Sequence, residues 1–207
     1  MRSVKSAWQA LLAAGLLVGQ IAPLQAQHPG ELERARKIVS GGCLLCHGID
    51  GESSSELFPK LAAQNAAYIA RQLANFKNGT RKSSAMQDMV KDLSDADMKA
   101  LGVYFSQKPA TAHDIRDPEL AAVGRYVYHH GNRHSGVAAC AGCHGPDAAG
   151  SAELPRLAGQ NALYVENRIK QFNAPERSQD SPVMHAIVAR MTELEIKAVA
   201  EYLAGKK

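Results

Sequence analysis

The chain is poor in the residues that most domains use to build a core, with aromatic side chains at 5% of its 207 residues. It has four cysteines, all placed in two short blocks, so no thiol is left over for a disulfide. No stretch alternates apolar and polar residues as a half-buried strand does, which argues against a sheet. Long apolar runs are also missing, apart from ALLAAGLLVG at residues 10–19, and a run of about ten is too short to span a bilayer. No basic stripe with interleaved aromatics is present, which excludes the usual footprint of nucleic-acid binding. Nor is there a grouping of acid, base and nucleophile that would suggest substrate chemistry.

What is present begins with GGCLLCHGIDG at residues 41–51. A CxxCH spacing is the attachment signal for c-type haem: the two thiols add to the vinyl groups and the histidine becomes an axial ligand of the iron. Taken singly, Cys43 and Cys46 could be a redox pair or half of a zinc site, and His47 an ordinary histidine. The pattern returns, however, as CAGCHG at residues 140–145, with Cys140, Cys143 and His144. One chance CxxCH in a chain of this composition has a probability on the order of a third of a per cent, so two are not accidental. Two covalently bound haem c groups are expected.

Arg2 and Lys5, the apolar run and LQA at residues 24–26 have the order of a secretory signal peptide, giving residues 1–26 as a cleaved leader and a periplasmic location. Of the 24 basic residues, cleavage removes Arg2 and Lys5 and leaves 22 against 20 acidic ones. Haem propionates would offset that small excess, so net charge says little about partners.

The two blocks lie 97 residues apart with matching sequence on both sides. FPKLAAQNAAYI at 58–69 answers LPRLAGQNALYV at 154–165, and SAMQDMVKDLSDADMKALGVYF at 84–105 answers SPVMHAIVARMTELEIKAVAEYL at 181–203. Two all-α domains are expected, at 27–108 and 118–207, with a linker at 109–117. Helical spacing joins Leu32, Ala35 and Val39, and Leu120, Val123 and Val127 before the blocks. Ile69, Leu73 and Phe76 match Val165, Ile169 and Phe172 after them; Met98, Leu101 and Phe105 match Ile196, Val199 and Leu203 in the last helix. Ser94 with Asp97 and Thr192 with Glu195 mark that helix's start, a capping-box spacing in the second case and a close relative of it in the first. Helical domains this small and this low in aromatics bury little apolar surface alone, so haem would form the middle of each core.

The ligand opposite the histidine decides the chemistry. In the first copy the histidine available besides His47 is His113, in the linker, so a methionine is the better partner. At an offset of 98, Met86 falls on Met184, Met89 on Ile187 and Met98 on Ile196. Met86 and Met184 are therefore assigned as axial ligands, and Met89 and Met98 to packing; Met191 matches Leu93 and reads as core. His185, the rival beside Met184, matches Gln87, a poor iron ligand. His129, His130 and His134 precede the second block and read as exposed.

A ligating imidazole needs its other ring nitrogen hydrogen-bonded, and the carbonyls of Pro59 and Pro155, twelve and eleven residues after His47 and His144, are candidate acceptors. The plainer role of each proline is to stop the chain before the helix that begins near Asn65 or Asn161. Arg81 and Arg177 could pair with propionates, and Lys60, Lys77 and Lys82 could steer docking at the haem edge, although solvated surface charge is the commoner role for each.

The signal peptide, two CxxCHG blocks, a PxLAxQ segment after each and one methionine ligand per domain resemble the dihaem cytochrome c4 family, over nearly all of the mature chain. Departures are Ala63 against Gly159 and FPK against LPR. The resemblance implies two cytochrome c-like domains about a pseudo-twofold axis and a diffusible or peripherally membrane-bound electron carrier without catalytic activity. Its donor would be a respiratory complex or a dehydrogenase, and its acceptor a terminal oxidase. The alternative is the haem subunit of an enzyme such as a flavocytochrome c. A dihaem peroxidase needs a labile sixth position, against which the matched methionines speak.

Overall fold

A computed structural model describes residues 29–174 and 181–207. The expected leader at 1–26 and Arg177 lie outside the described residues. Among those described there are helices and no strand, only one isolated bridge between Asn132 and Val137.

The first half contains α1 (Pro29–Ile38), which runs through a π-helical turn (Val39–Cys43) into α2 (Leu44–His47), followed by α3 (Ala66–Lys77), α4 (Ser84–Val90) and α5 (Asp95–Ser106). The second half contains α6 (Pro118–His130), α7 (Ala141–His144), α8 (Ala162–Asn173), α9 (Pro182–Val188) and α10 (Glu193–Gly205). Local chemistry sets the helix starts. Ser83 and Ser181 accept from the N–H groups of Met86 and Met184, and Asp117 from that of Leu120 ahead of the helix-initiating Pro118. Both capping boxes form, Ser94 with Asp97 and Thr192 with Glu195.

Each half packs its first two long helices onto its last: α1 and α3 on α5, α6 and α8 on α10. Val39, Ile69, Leu101, Tyr104 and Phe105 form one core; Val127, Tyr128, Val165, Ile169, Val199 and Leu203 form the other. The expected face of α6 is shifted by one residue. Val123 is exposed, while Ala121, Gly124, Val127 and Tyr128 are buried, so Gly124 takes the place of Ala35 and Tyr128 that of Val39. The cause is a close helix crossing: a Cβ on Gly124 would lie 1.8 Å from the Ala198 carbonyl oxygen, so only glycine fits.

The halves differ just before their CxxCH blocks. In the first, helix runs straight into the block; in the second, α6 ends at His130 and residues 131–139 intervene as a loop closed by the Asn132–Val137 bridge. His130 and His134 are exposed there, and His129 is half-buried with its Nε2 3.0 Å from the Tyr202 hydroxyl.

Residues 109–117 are free of regular secondary structure and are stitched to both halves. The Lys60 ammonium donates to the Thr111 carbonyl at 2.8 Å, the His113 N–H to Ala204 at 2.9 Å, and Arg116 pairs with Glu56 while its N–H reaches Glu201 at 2.5 Å. The halves themselves meet through reciprocal amide contacts, the mark of a twofold-related pair. Gln160 accepts from the Lys60 N–H at 2.8 Å and donates to the Lys60 carbonyl at 3.0 Å. Gln64 does the same to Arg156, at 2.8 and 2.9 Å. Asn161 donates to Phe58 at 2.8 Å and Asn65 to Leu154 at 2.9 Å.

Candidate haem sites

Helix ends carry the candidate residues. Cys43 closes the π-helical turn, Cys46 and His47 lie on α2, and Cys140, Cys143 and His144 occupy α7 and its N-cap. Gly48 and Gly145 end these short helices and turn the chain back under the histidine. His47 and His144 are 8% and 7% exposed. Nδ1 of His47 stands 3.0 Å from the Pro59 carbonyl oxygen, and that of His144 stands 3.3 Å from the Pro155 carbonyl oxygen.

A carbonyl only accepts, so each Nδ1 carries the proton. Burial pushes both imidazoles below the usual histidine range, with the proline carbonyls pulling the other way, so the rings are neutral and each Nε2 has a free lone pair. That is the form of imidazole an iron ligand requires. Cys43 and Cys140 do not resemble the activated thiol of a redox pair, which is lowered. Burial raises the Cys43 thiol and pushes Cys140 up to about 11.

Met86 and Met184 occupy matching places on the first turns of α4 and α9, both half-buried, with Met184 packed against the second core. Met98 is buried in the first half and Met191 packs against the second core. Met89 packs at the surface and not in the core: it is 48% exposed, and its methyl group covers Gly42, 2.5 Å from where a Cβ on that glycine would lie. His185 is engaged elsewhere, its Nδ1 2.9 Å from the Phe172 carbonyl oxygen, and His113 Nε2 meets Asn161 Oδ1 at 2.7 Å.

Lys60 is not a docking lysine. It is 6% exposed and pairs with Glu52 at 2.8 Å; burial works against the Glu52 charge, but Lys60 and Thr111 outweigh it and hold the carboxyl below its usual range. Lys77 and Lys82 are exposed. Arg81 lies 4.5 Å over the Phe76 ring and donates to Gln72 at 2.8 Å and, across the boundary, to the Tyr164 hydroxyl at 3.1 Å. Arg156, the repeat partner of Lys60, has its Nε buried with no hydrogen-bond partner among the described residues, a donor that a haem propionate would satisfy. The donor set and the neutral buried imidazoles fit a haem in each half, and the unpaired Arg156 Nε adds a donor for a propionate in the second.

The residues that sequence reasoning passed over are Gln64 and Gln160. Their signal was available, since both stand in the repeated PxLAxQ segment. What the sequence lacked was any sign that they reach the opposite half.

Paired CxxCH helices, each histidine buried against a proline carbonyl within its own small helical unit, define a tandem c-type cytochrome with two covalent haem c groups. A family model described as cytochrome c matches residues 128–207, and one described as cytochrome c oxidase, cbb3-type, subunit III matches residues 30–105. Cytochrome c4 of Thiocapsa roseopersicina is 38% identical over 180 residues, covering 85% of this chain and 93% of that protein. The thiosulfate dehydrogenase electron acceptor of Thiomonas intermedia is 36% identical over 172 residues, covering 81% and 79%. Reduced recombinant cytochrome c4 from Pseudomonas stutzeri superposes with a TM-score of 0.78 at 32% identity, over 85% of this chain and 98% of that one. The chain belongs to the cytochrome c4 family. It is an electron-transfer protein and not itself an enzyme.

Proposed function

We propose that the protein is a periplasmic carrier that takes electrons from a respiratory complex or a dehydrogenase and passes them toward a terminal oxidase, with peripheral contact to the membrane. On this reading residues 1–26 are a cleaved signal peptide, 27–108 and 118–207 the haem domains, and 109–117 the linker. Cys43 and Cys46 hold one haem and Cys140 and Cys143 the other; His47 with Met86, and His144 with Met184, are the axial pairs.

The observation that carries this is the pair of buried, neutral imidazoles, each with Nδ1 committed to a proline carbonyl and Nε2 left to bind. Bound haem supplies a one-electron iron couple. The protein's part is to hold imidazole and thioether in place in both oxidation states and to keep water away, which keeps the rearrangement on transfer small. Among the described residues no helix is long and apolar enough to cross a membrane. One relative's name, thiosulfate dehydrogenase electron acceptor, favours a dehydrogenase as donor and supports a second reading, the haem subunit of such an enzyme.

A pyridine haemochrome assay should count two haems per chain, and the oxidised protein should show the weak near-infrared band of methionine ligation. M86A and M184A should each lower the potential of one haem and open its iron to carbon monoxide. Unchanged potentials and no carbon monoxide binding in both variants would overturn the ligand assignment. Copurification separates the two readings: an enzyme subunit remains with its dehydrogenase through gel filtration, and a carrier elutes alone.

A further inference from the structure

We infer that Gln64 and Gln160 are positioning residues acting across the domain boundary, each adjusting the reduction potential of the haem held by the other half. The inference rests on His47 and His144 being axial ligands. One peptide unit carries it in each half. The carbonyl of the Pro59–Lys60 peptide accepts from His47 Nδ1–H at 3.0 Å, and the N–H of that same peptide donates to Gln160 Oε1 at 2.8 Å. The mirror relay runs from His144 to Pro155 at 3.3 Å, and from the Arg156 N–H to Gln64 Oε1 at 2.8 Å.

Two hydrogen bonds on one peptide unit polarise each other. An acceptor pulling on the Lys60 N–H makes the Pro59 oxygen more negative and so a better acceptor for the imidazole N–H. That raises the basicity of the ring's other nitrogen and favours ferric iron, which lowers the potential. The glutamines are well placed for this role. They are 6% and 7% exposed, and each Oε1 is oriented by a further bond from the next backbone N–H, at 3.0 Å for Asn65 and 2.9 Å for Asn161. Each Nε2 also donates to the carbonyl on the far side of the clamped residue, so the residue after each proline is held at both its backbone groups.

A purely mechanical role would tie the halves together without regard to which glutamine belongs to which haem. The relay is crossed: Gln160 governs the His47 haem and Gln64 the His144 haem.

The test uses the dihaem protein and its Q160L, Q64L and Q160E variants, with both potentials read by spectroelectrochemistry. The haems are told apart by the hyperfine-shifted ring-proton signals of their histidines. His47 is identified by cross-relaxation with the Phe58 ring, whose centroid lies 6.3 Å away; the second half has Leu154 at that place. Q160L should raise the potential of the His47 haem by about twofold in its reduction equilibrium, roughly 18 mV at 59 mV per tenfold for one electron, and leave the other haem in place. Q64L should do the converse. Q160E keeps an acceptor for the Lys60 N–H in either protonation state, so the His47 haem should stay at or below its original potential. Both potentials moving together in each single variant, movement of the haem in the glutamine's own half, no movement, or Q160E and Q160L shifting alike would overturn the relay. Absence of two axial-histidine signals in the unmodified protein would overturn the ligand reading, and the relay with it.

Discussion

Replacing Asp97 by Asn should remove a part of the stability that depends on pH only below about pH 4. Asp97 is 2% exposed, and its carboxylate accepts from the Arg34 guanidinium, from the Ser94 N–H at 3.0 Å and from the Ser94 hydroxyl at 2.7 Å. The bond from Arg34 does most to hold the carboxyl well below the usual carboxylate range; burial opposes it and Ser94 assists it. Because the folded pKa lies below the unfolded one, the contribution is complete above the unfolded value of about 3.9 and is lost as pH falls toward the folded value. Each pH unit below about 3.9 then removes about 1.4 kcal/mol while the folded carboxylate stays ionised, or about 1.2 kcal/mol at pH 3. Loss of the reciprocal cap adds about 1 kcal/mol at any pH. The assay is guanidinium unfolding of the dihaem protein and of D97N from pH 7 to pH 3, followed by far-ultraviolet circular dichroism. The stability gap between the two should be flat above pH 5 and should narrow by about 1 kcal/mol at pH 3. A gap that is constant down to pH 3 would show that the Asp97 charge contributes nothing to folding.

Glu195 occupies the same cap in the second half with the neutral Asn132 amide, at 2.7 Å, in place of a cation. Burial works against its charge, while the Thr192 N–H and Asn132 outweigh it, so E195Q should narrow its own stability gap in the same direction below about pH 4.3 but by less than D97N does. Ala63 and Gly159 share a left-handed conformation, at φ of 53° and 72°, and only the glycine is at ease there. A63G should therefore stabilise by about 0.5–1 kcal/mol in denaturant titration. G159A should cost about 2 kcal/mol, because its Cβ would also lie 2.8 Å from the Thr111 carbonyl oxygen. G124A should loosen the α6–α10 crossing and cost about 2–3 kcal/mol, measured as a lower guanidinium midpoint.

The repeat made much of the fold legible. Three helical signatures per copy, both capping boxes and the faces built on Ile69, Phe76, Leu101 and Leu203 appear where 3.6-residue spacing places them. Alignment by spacing failed where a close crossing selects for size and not polarity: Gly124 carries no hydropathy signal, so Val123 looked like the buried residue. Lys60 misled for a related reason. Lysine is almost never fully buried unless paired, and the Glu52 and Thr111 partners that bury it come from a loop and a linker with no periodic pattern. Reciprocal placement was the least legible feature, since a glutamine written once per repeat does not say which copy it serves.

That placement also explains why two such small domains remain paired. Four amide bonds between the glutamines and the backbones of Lys60 and Arg156 are exchanged for water if the halves separate, so each contributes a net 0.5–1.5 kcal/mol, or about 2–6 kcal/mol together. For two free molecules this would barely offset the entropy of association. For halves joined by a short linker that is itself bonded to both, the effective concentration is in the millimolar range or above and the same bonds suffice. The residues that close the interface directly follow the prolines facing the histidines, so the contact that holds the halves together is also the one that sets the histidines. A duplication that pairs domains through this segment ties the environment of each haem site to the presence of the other.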